Sequence, residues 1–275
     1  MLIDTHSHLD FPDFASDLDA VLSRAENAGV TRIITIGTSL EGSRRAIRIA
    51  EKHPQVFAVV GVHPNSASEA PEDFITPLRE LARHPKVAAI GETGLDYHRL
   101  PSTRLDRAIT AADAQAARED AAEKARQASV CLQQLDLAVE LGLNVVVHER
   151  DAWDDTLALL KPYASRLRAV FHCFGKSPEH ARQLLDDRHL VSFTGLVTFK
   201  NARDAHAAAA QIPGDSYMVE TDCPFLAPVP FRGKRCEPAH TRQVAERIAL
   251  LRSEPLESVA ASATANAEAF FRLSR

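Results

Sequence analysis

"LIDTHSHLDF" (residues 2–11) carries an apolar start straight into two histidines, His6 and His8. On a strand, side chains two positions apart point to the same side, so the two imidazoles converge on one point at the strand's C-terminal end. That is chelate geometry. It becomes useful in a fold that gathers several strand ends at one place, and the rest of the chain reads as such a fold.

Seven more short apolar runs rich in Val, Ile and Phe follow: "RIITIG" (32–37), "FAVVGV" (57–62), "VAAIGE" (87–92), "NVVVH" (144–148), "AVFHC" (169–173), "LVSFT" (190–194) and "YMVET" (217–221). Longer stretches with helical spacing of apolar residues separate them, which is the βαβ alternation of a parallel sheet. Glycines in "AENAGV" (25–30) and "AVELGLN" (138–144) end helices before the next strand. Eight parallel strands with intervening helices predict an α/β protein with a closed (β/α)8 TIM barrel, as one domain over residues 1–275. One connection is long. Between Glu92 and Asn144 lies "RAITAADAQAAREDAAEKARQ" (107–127), which predicts an inserted or extended Ala-rich helix between strands four and five, overhanging the barrel's top face.

Composition narrows the class. A chain of 275 residues with 45% hydrophobic and 25% charged residues has an ordinary globular balance, and no apolar run approaches the roughly 20 residues of a membrane span. His6 follows too few residues for a signal peptide, so the mature protein is expected to start here and to be cytoplasmic. The four cysteines make no CxxC pair and are expected to be reduced thiols. A formal net charge of -5 argues against a broad basic face that coats nucleic acid, so a nucleic-acid substrate must be gripped locally.

Ligand-type residues recur at the other strand ends. Glu92 ends "VAAIGE", His148 ends "NVVVH", His172 lies in "AVFHC", and Asp222 follows "YMVET". In a barrel these ends share one mouth, where they would join His6 and His8. Six donors exceed what one zinc takes from a protein, so two divalent ions are expected with a shared carboxylate. Glu92 is the expected bridge, with His6, His8 and Asp222 on the first ion and His148 and His172 on the second. The imidazoles favour Zn or Mn by ligand softness.

These residues sit in ordered blocks: "DTHSHLDF" (4–11), "GVHP" (61–64), "IGETGLDYH" (90–98), "VVHERDA" (146–152), "FHCFGKS" (171–177) and "ETDCPFLAPVPFRGK" (220–234). Along nearly its whole length the chain resembles the TatD family of metal-dependent deoxyribonucleases, within the amidohydrolase-like superfamily. The resemblance implies the barrel, a centre of two divalent ions (Zn, Mn or Mg) held by His6, His8, Glu92, His148, His172 and Asp222, and cleavage of DNA phosphodiesters. It further implies a 3′-5′ exodeoxyribonuclease using a water activated between two metals, on single-stranded DNA or frayed ends.

In that reading Asp222 takes the water's proton and Glu92 bridges. His63, in "GVHP", matches a functional histidine of the family that is not a principal ligand, and is expected to contact substrate and assist catalysis. Arg150 and Asp151 follow a ligand, and Arg232 and Lys234 lie in the Pro-rich loop after Asp222. The three basic residues are candidate phosphate contacts. Cys173 and Cys223 each follow a donor and should point away, into the helix layer. Asn65 and Cys236 depart from the family's usual residues and bear on substrate preference.

A different bond remains open. The same barrel could hydrolyse an amide or ester of a small molecule, or an aminoacyl ester, since fold does not fix substrate. A metal-stabilised binding protein is the non-enzymatic alternative. No membrane association and no obligate protein partner are expected.

Overall fold

All eight expected strands form, in chain order: β1 (Leu2–Ser7), β2 (Val30–Ile36), β3 (Val56–Val60), β4 (Val87–Asp96), β5 (Asn144–Arg150), β6 (Ala169–Phe171), β7 (Leu190–Phe193) and β8 (Tyr217–Val219). The computed structural model describes residues 1–103 and 114–273. Each strand pairs in parallel with the next, from β1 through β8. Helices cross between them, and the fold is a (β/α)8 barrel. The segment after β8 returns to β1, where His8 N–H donates to the Cys223 carbonyl and Asp222 N–H to the His6 carbonyl, both at 2.8 Å. Closing the barrel therefore fixes Asp222 beside the two histidines of β1.

The interior is filled from below. Ile3, Ile34, Val59, Ala89, Val146, Val170, Leu190 and Met218 form one buried cluster to which every strand contributes, and Phe270 and Phe271 of the helix Leu256–Phe271 complete it. Alternation from this layer sets what lies above it. Val146 leads to His148, Val170 to His172, and Met218 through Glu220 to Asp222, each in steps of two. His6 and Glu92 are out of phase with Ile3 and Ala89. They face inward because β1 has a register shift between Asp4 and Ser7, and β4 another between Ile90 and Thr93. Such bulges re-aim a side chain at the cost of ladder pairing.

Glu92 consequently lies in the middle of a ten-residue strand and not at its end. β4 and β5 continue together beyond the bulge, with Gly94 opposite His148 and Asp96 opposite Arg150. The long connection ends in one 28-residue helix, Ala114–Leu141, as an extended Ala-rich helix requires. Residues 107–113 of the anticipated insertion lie outside the described residues. This helix supplies polar groups where the bulged strands need them. Gln134 accepts from Val62 N–H (2.8 Å) and donates to Thr93 Oγ1 (2.7 Å), and Gln127 accepts from Asp96 N–H (2.9 Å).

Cys131, Cys223 and Cys236 are buried in the core, and all four thiols are free. Cys173 departs from the expected packing role. It takes a left-handed φ of 50°, and its half-buried sulfur lies 3.5 Å from Thr194 Oγ1. Among the described residues, no helix is long and apolar enough to cross a membrane.

Gly94 has a φ of +140°, and a Cβ there would overlap the His148 carbonyl. Gly29, at φ +85°, has open space around it. Gly94→Ala is expected to cost about 3 kcal/mol or more, and Gly29→Ala only about 1 kcal/mol, in urea unfolding followed by circular dichroism.

Candidate metal centre

The six anticipated donors meet at the C-terminal mouth of the barrel. On one side of Glu92, Oε2 lies 3.4 Å from His6 Nε2 and 3.9 Å from His8 Nε2. Those two ring nitrogens are 3.3 Å apart, and Asp222 Oδ1 stands 3.3 Å from His8 Nε2 and 3.7 Å from His6 Nε2. On the other side, Oε1 lies 2.8 Å from both His148 Nδ1 and His172 Nε2, which are 3.2 Å from each other. One carboxylate thus turns a separate oxygen toward each of two donor groups.

The hydrogen bonds of each ring decide what it offers inward. His8 Nδ1 reaches the Ile36 carbonyl at 3.2 Å and so carries its proton there, leaving the Nε2 lone pair for the centre. His148 is fixed the opposite way round, with Nε2 donating to Asp96 Oδ2 at 3.3 Å and the Nδ1 lone pair facing Glu92. Asp96 is itself held by Asn65 Nδ2 at 3.1 Å and by the N–H of His98 at 3.0 Å. Carboxylate support of this kind is how ligating imidazoles are commonly oriented.

His63 is different. Its Nδ1 accepts the N–H of Asn65 at 3.0 Å, so its proton sits on Nε2, 3.4 Å from Glu92 Oε1 and 3.2 Å from His148 Nδ1. It joins the cluster as a donor and not as a lone pair, which separates it from His8 and His148. His6 and His172 stack with ring centroids 4.1 Å apart, and the buried Nδ1 of each has no hydrogen-bond partner. Glu220 Oε1 stands 3.6 Å from His172 Nδ1 and accepts the Cys173 N–H at 2.7 Å.

Electrostatics follow from this crowding. Burial opposes ionisation of Glu92, but the imidazoles of His172, His63, His6 and His148 around it outweigh that and hold its pKa well below the usual carboxylate range. Burial likewise opposes charge on Asp222, and the imidazoles of His8, His6 and His172 beside it prevail, so its pKa is lowered. His172 is pushed well above its ordinary value because Glu92 overcomes burial, whereas burial wins at His6 and His63 and lowers both.

The donor set fits divalent cations. Two ligands of a tetrahedral ion at about 2.0–2.1 Å stand about 3.3 Å apart, the spacing seen between the ring nitrogens here. The imidazoles of His8 and His148, whose outer nitrogens are tied, and ionised carboxylates are in the forms that bind metal. Groups close enough to hold an ion include His6, His8 and Asp222, and His6, His172 and Glu220; His63 lies equally close to Glu92 and His148 but turns its proton toward them.

The remaining candidates are scattered around the rim. Arg150 is exposed at the end of β5, and Asp151 pairs with His98 at 2.9 Å, which ties two loops together. Arg232 and Lys234 are exposed, and the Arg232 guanidinium sits 4.2 Å from the centre of the Phe199 ring. Among the described residues, none of Arg150, Arg232 and Lys234 pairs with a carboxylate. Sequence reading missed Asp96, Asn65 and Glu220 as supporting groups. Asp96 and Glu220 lie in the quoted blocks, and Glu220 is two positions before Asp222 on the same inward face, a signal that was available. Phe225 was missed too. It is 51% exposed, with its ring 6.3 Å from that of His8 and 5.9 Å from that of Phe11.

Comparison with known proteins identifies the family. A family model described as TatD related DNase matches residues 3–272. The Bacillus subtilis protein named uncharacterized metal-dependent hydrolase YabD is 38% identical, covering 99% of this chain and 100% of its own. The Salmonella typhimurium protein named 3′-5′ ssDNA/RNA exonuclease TatD is 34% identical, with 99% of each chain covered. The crystal structure of YjjV, a TatD homolog from Escherichia coli, superposes with a TM-score of 0.86 at 29% identity, over 99% of this chain and 98% of that one. With a family match over almost every residue and a barrel mouth lined by imidazoles and carboxylates, this chain belongs to the TatD-related DNase family and is a hydrolase.

Proposed function

We propose that this protein is a divalent-metal-dependent nuclease that removes nucleotides from the 3′ end of DNA, acting on single strands or frayed ends. The observation that carries the reading is Glu92, whose two oxygens face two separate donor groups. In this reading His6, His8, Asp222 and Glu92 would hold one ion, and His148, His172 and Glu92 the other. Ions bound there would supply Lewis-acid polarisation of the phosphoryl group and a lowered pKa for water.

The chain's own groups do the rest. Asp222, kept ionised by His8, accepts the proton of the attacking water. His63 offers its Nε2–H to the phosphate or to the leaving oxygen. Phe225, with Phe11 edge-on beside it, presents an exposed aromatic face on which an unstacked base can lie, which favours a single strand over an intact duplex. Arg150, Arg232 and Lys234 supply the local positive charge that a chain of net charge -5 needs to hold a polyanion at one place. The exonuclease name carried by several relatives points the same way.

Chelation should reveal the metals through stability. A ligand at a hundred times its dissociation constant stabilises by about 2.7 kcal/mol, so EDTA is expected to lower the melting temperature by about 5 °C or more, and added Zn or Mn to restore it. An unchanged melting temperature would remove the metals from the native state.

Activity is read on end-labelled single- and double-stranded DNA beside a panel of esters and amides. Asp222→Asn is expected to fold and to lose about a thousandfold in kcat. Phe225→Ala is expected to raise KM for single-stranded DNA about tenfold with kcat nearly unchanged. DNA left intact while an ester or amide is cleaved would replace the nuclease reading with the small-molecule one.

A further inference from the structure

The opposite end of the barrel holds a second polar cavity, of about 680 Å³. It is lined by Asn144, Arg168, His189 and Ser216, at the starts of β5 to β8, and by Arg272 just past the helix Leu256–Phe271. Arg166 and Arg188 also line it, and the only carboxylate there among the described residues is Asp215. Four guanidiniums against one carboxylate leave a local excess of positive charge on a chain whose formal total is -5.

Arg166 lies 4.6 Å from the centre of the Tyr163 ring and donates to the Pro162 carbonyl at 3.3 Å, but no carboxylate holds these arginines: among the described residues, none of the four makes a salt bridge. Arg168 is half-buried, and its Nε donates to the Arg188 carbonyl at 2.9 Å. Its two terminal nitrogens have no protein acceptor among the described residues, although a guanidinium carries five N–H donors in a fork. Burial and then the nearby charge of Arg188 lower the Arg168 pKa, and the charge of Asp215 offsets this only in part.

His189 adds an independent sign. It is 2% exposed and lines the same cavity. Its Nδ1 accepts the Ala169 N–H at 3.2 Å, which puts the ring proton on Nε2, and that atom has no partner. A buried donor without an acceptor costs about 1–3 kcal/mol, a cost that a bound acceptor removes. The cavity thus sets guanidinium and imidazole donors against a single carboxylate among the described residues.

From four guanidiniums without a carboxylate partner among the described residues and the orphaned His189 donor around one cavity, we infer that the N-terminal face of the barrel is a binding site for a small, multiply charged phosphate of diphosphate size. The charge excess favours a multivalent anion over a single carboxylate, and guanidinium forks match phosphate oxygens two at a time. The site lies at the far end of the barrel from the metal centre, so its ligand would not occupy the hydrolytic site.

Isothermal titration of the metal-loaded protein with pyrophosphate, beside inorganic phosphate, tests this. One pyrophosphate per chain is expected, bound more tightly than phosphate. Arg168→Gln and Arg188→Gln are each expected to weaken it about tenfold or more, with hydrolysis at the other end unchanged. Should Arg168→Gln fail to fold, Arg188→Gln decides, because that side chain is exposed. No binding at millimolar pyrophosphate would overturn the inference. So would binding that both variants keep and EDTA removes, which marks uptake at the metals instead.

Discussion

One buried carboxylate organises this molecule. Glu92 is 2% exposed and has five imidazoles within 4 Å of its oxygens. An ionised carboxylate taken out of water costs several kcal/mol unless positive charge and hydrogen-bond donors meet it. Here the neighbours that could meet it are themselves buried bases, crowded so closely that they cannot all be protonated. A carboxylate with a donor group on each oxygen resolves this when cations share it. The spacing of the ring nitrogens and the fixed tautomers of His8 and His148 are arranged to that end.

The backbone bears a cost to deliver these groups. Register shifts in β1 and β4 give up ladder pairing to turn His6 and Glu92 inward, and Gln127 and Gln134 of the long helix satisfy polar backbone groups beside β4. Asp151, Cys173 and Asp222, which follow β5, His172 and β8, all take positive φ, each at a cost of about 1–2 kcal/mol. Three such residues around one mouth are a common mark of a site that stores strain for function. The barrel below, filled by one layer of aliphatic residues and closed by Phe270 and Phe271, provides the packing that holds them there.

The eight strands were legible because each is a short apolar run with a helix after it, and the convergence of donors was legible because barrel strands end at one mouth. Phase was not. Counting by two from Ile3 sends His6 outward, and counting from Ala89 sends Glu92 outward, and only the bulges reverse this. A bulge is a property of pairing between strands far apart in sequence, so no local pattern announces it. His148, His172 and Asp222 need no such correction. The supporting residues were hidden for a related reason, since Asn65, Asp96 and His148 are brought together by three different strand ends. Cys173 was misread because strict alternation was carried past the end of a three-residue strand, where the chain had already turned.

The account stands on Glu92 serving two cation sites at once. Crystals grown with Mn or Zn and measured at that metal's absorption edge test it most directly. Two anomalous peaks are expected, one against each oxygen of Glu92, the first beside His6, His8 and Asp222 and the second beside His148 and His172. A single peak, or peaks away from Glu92, would contradict it.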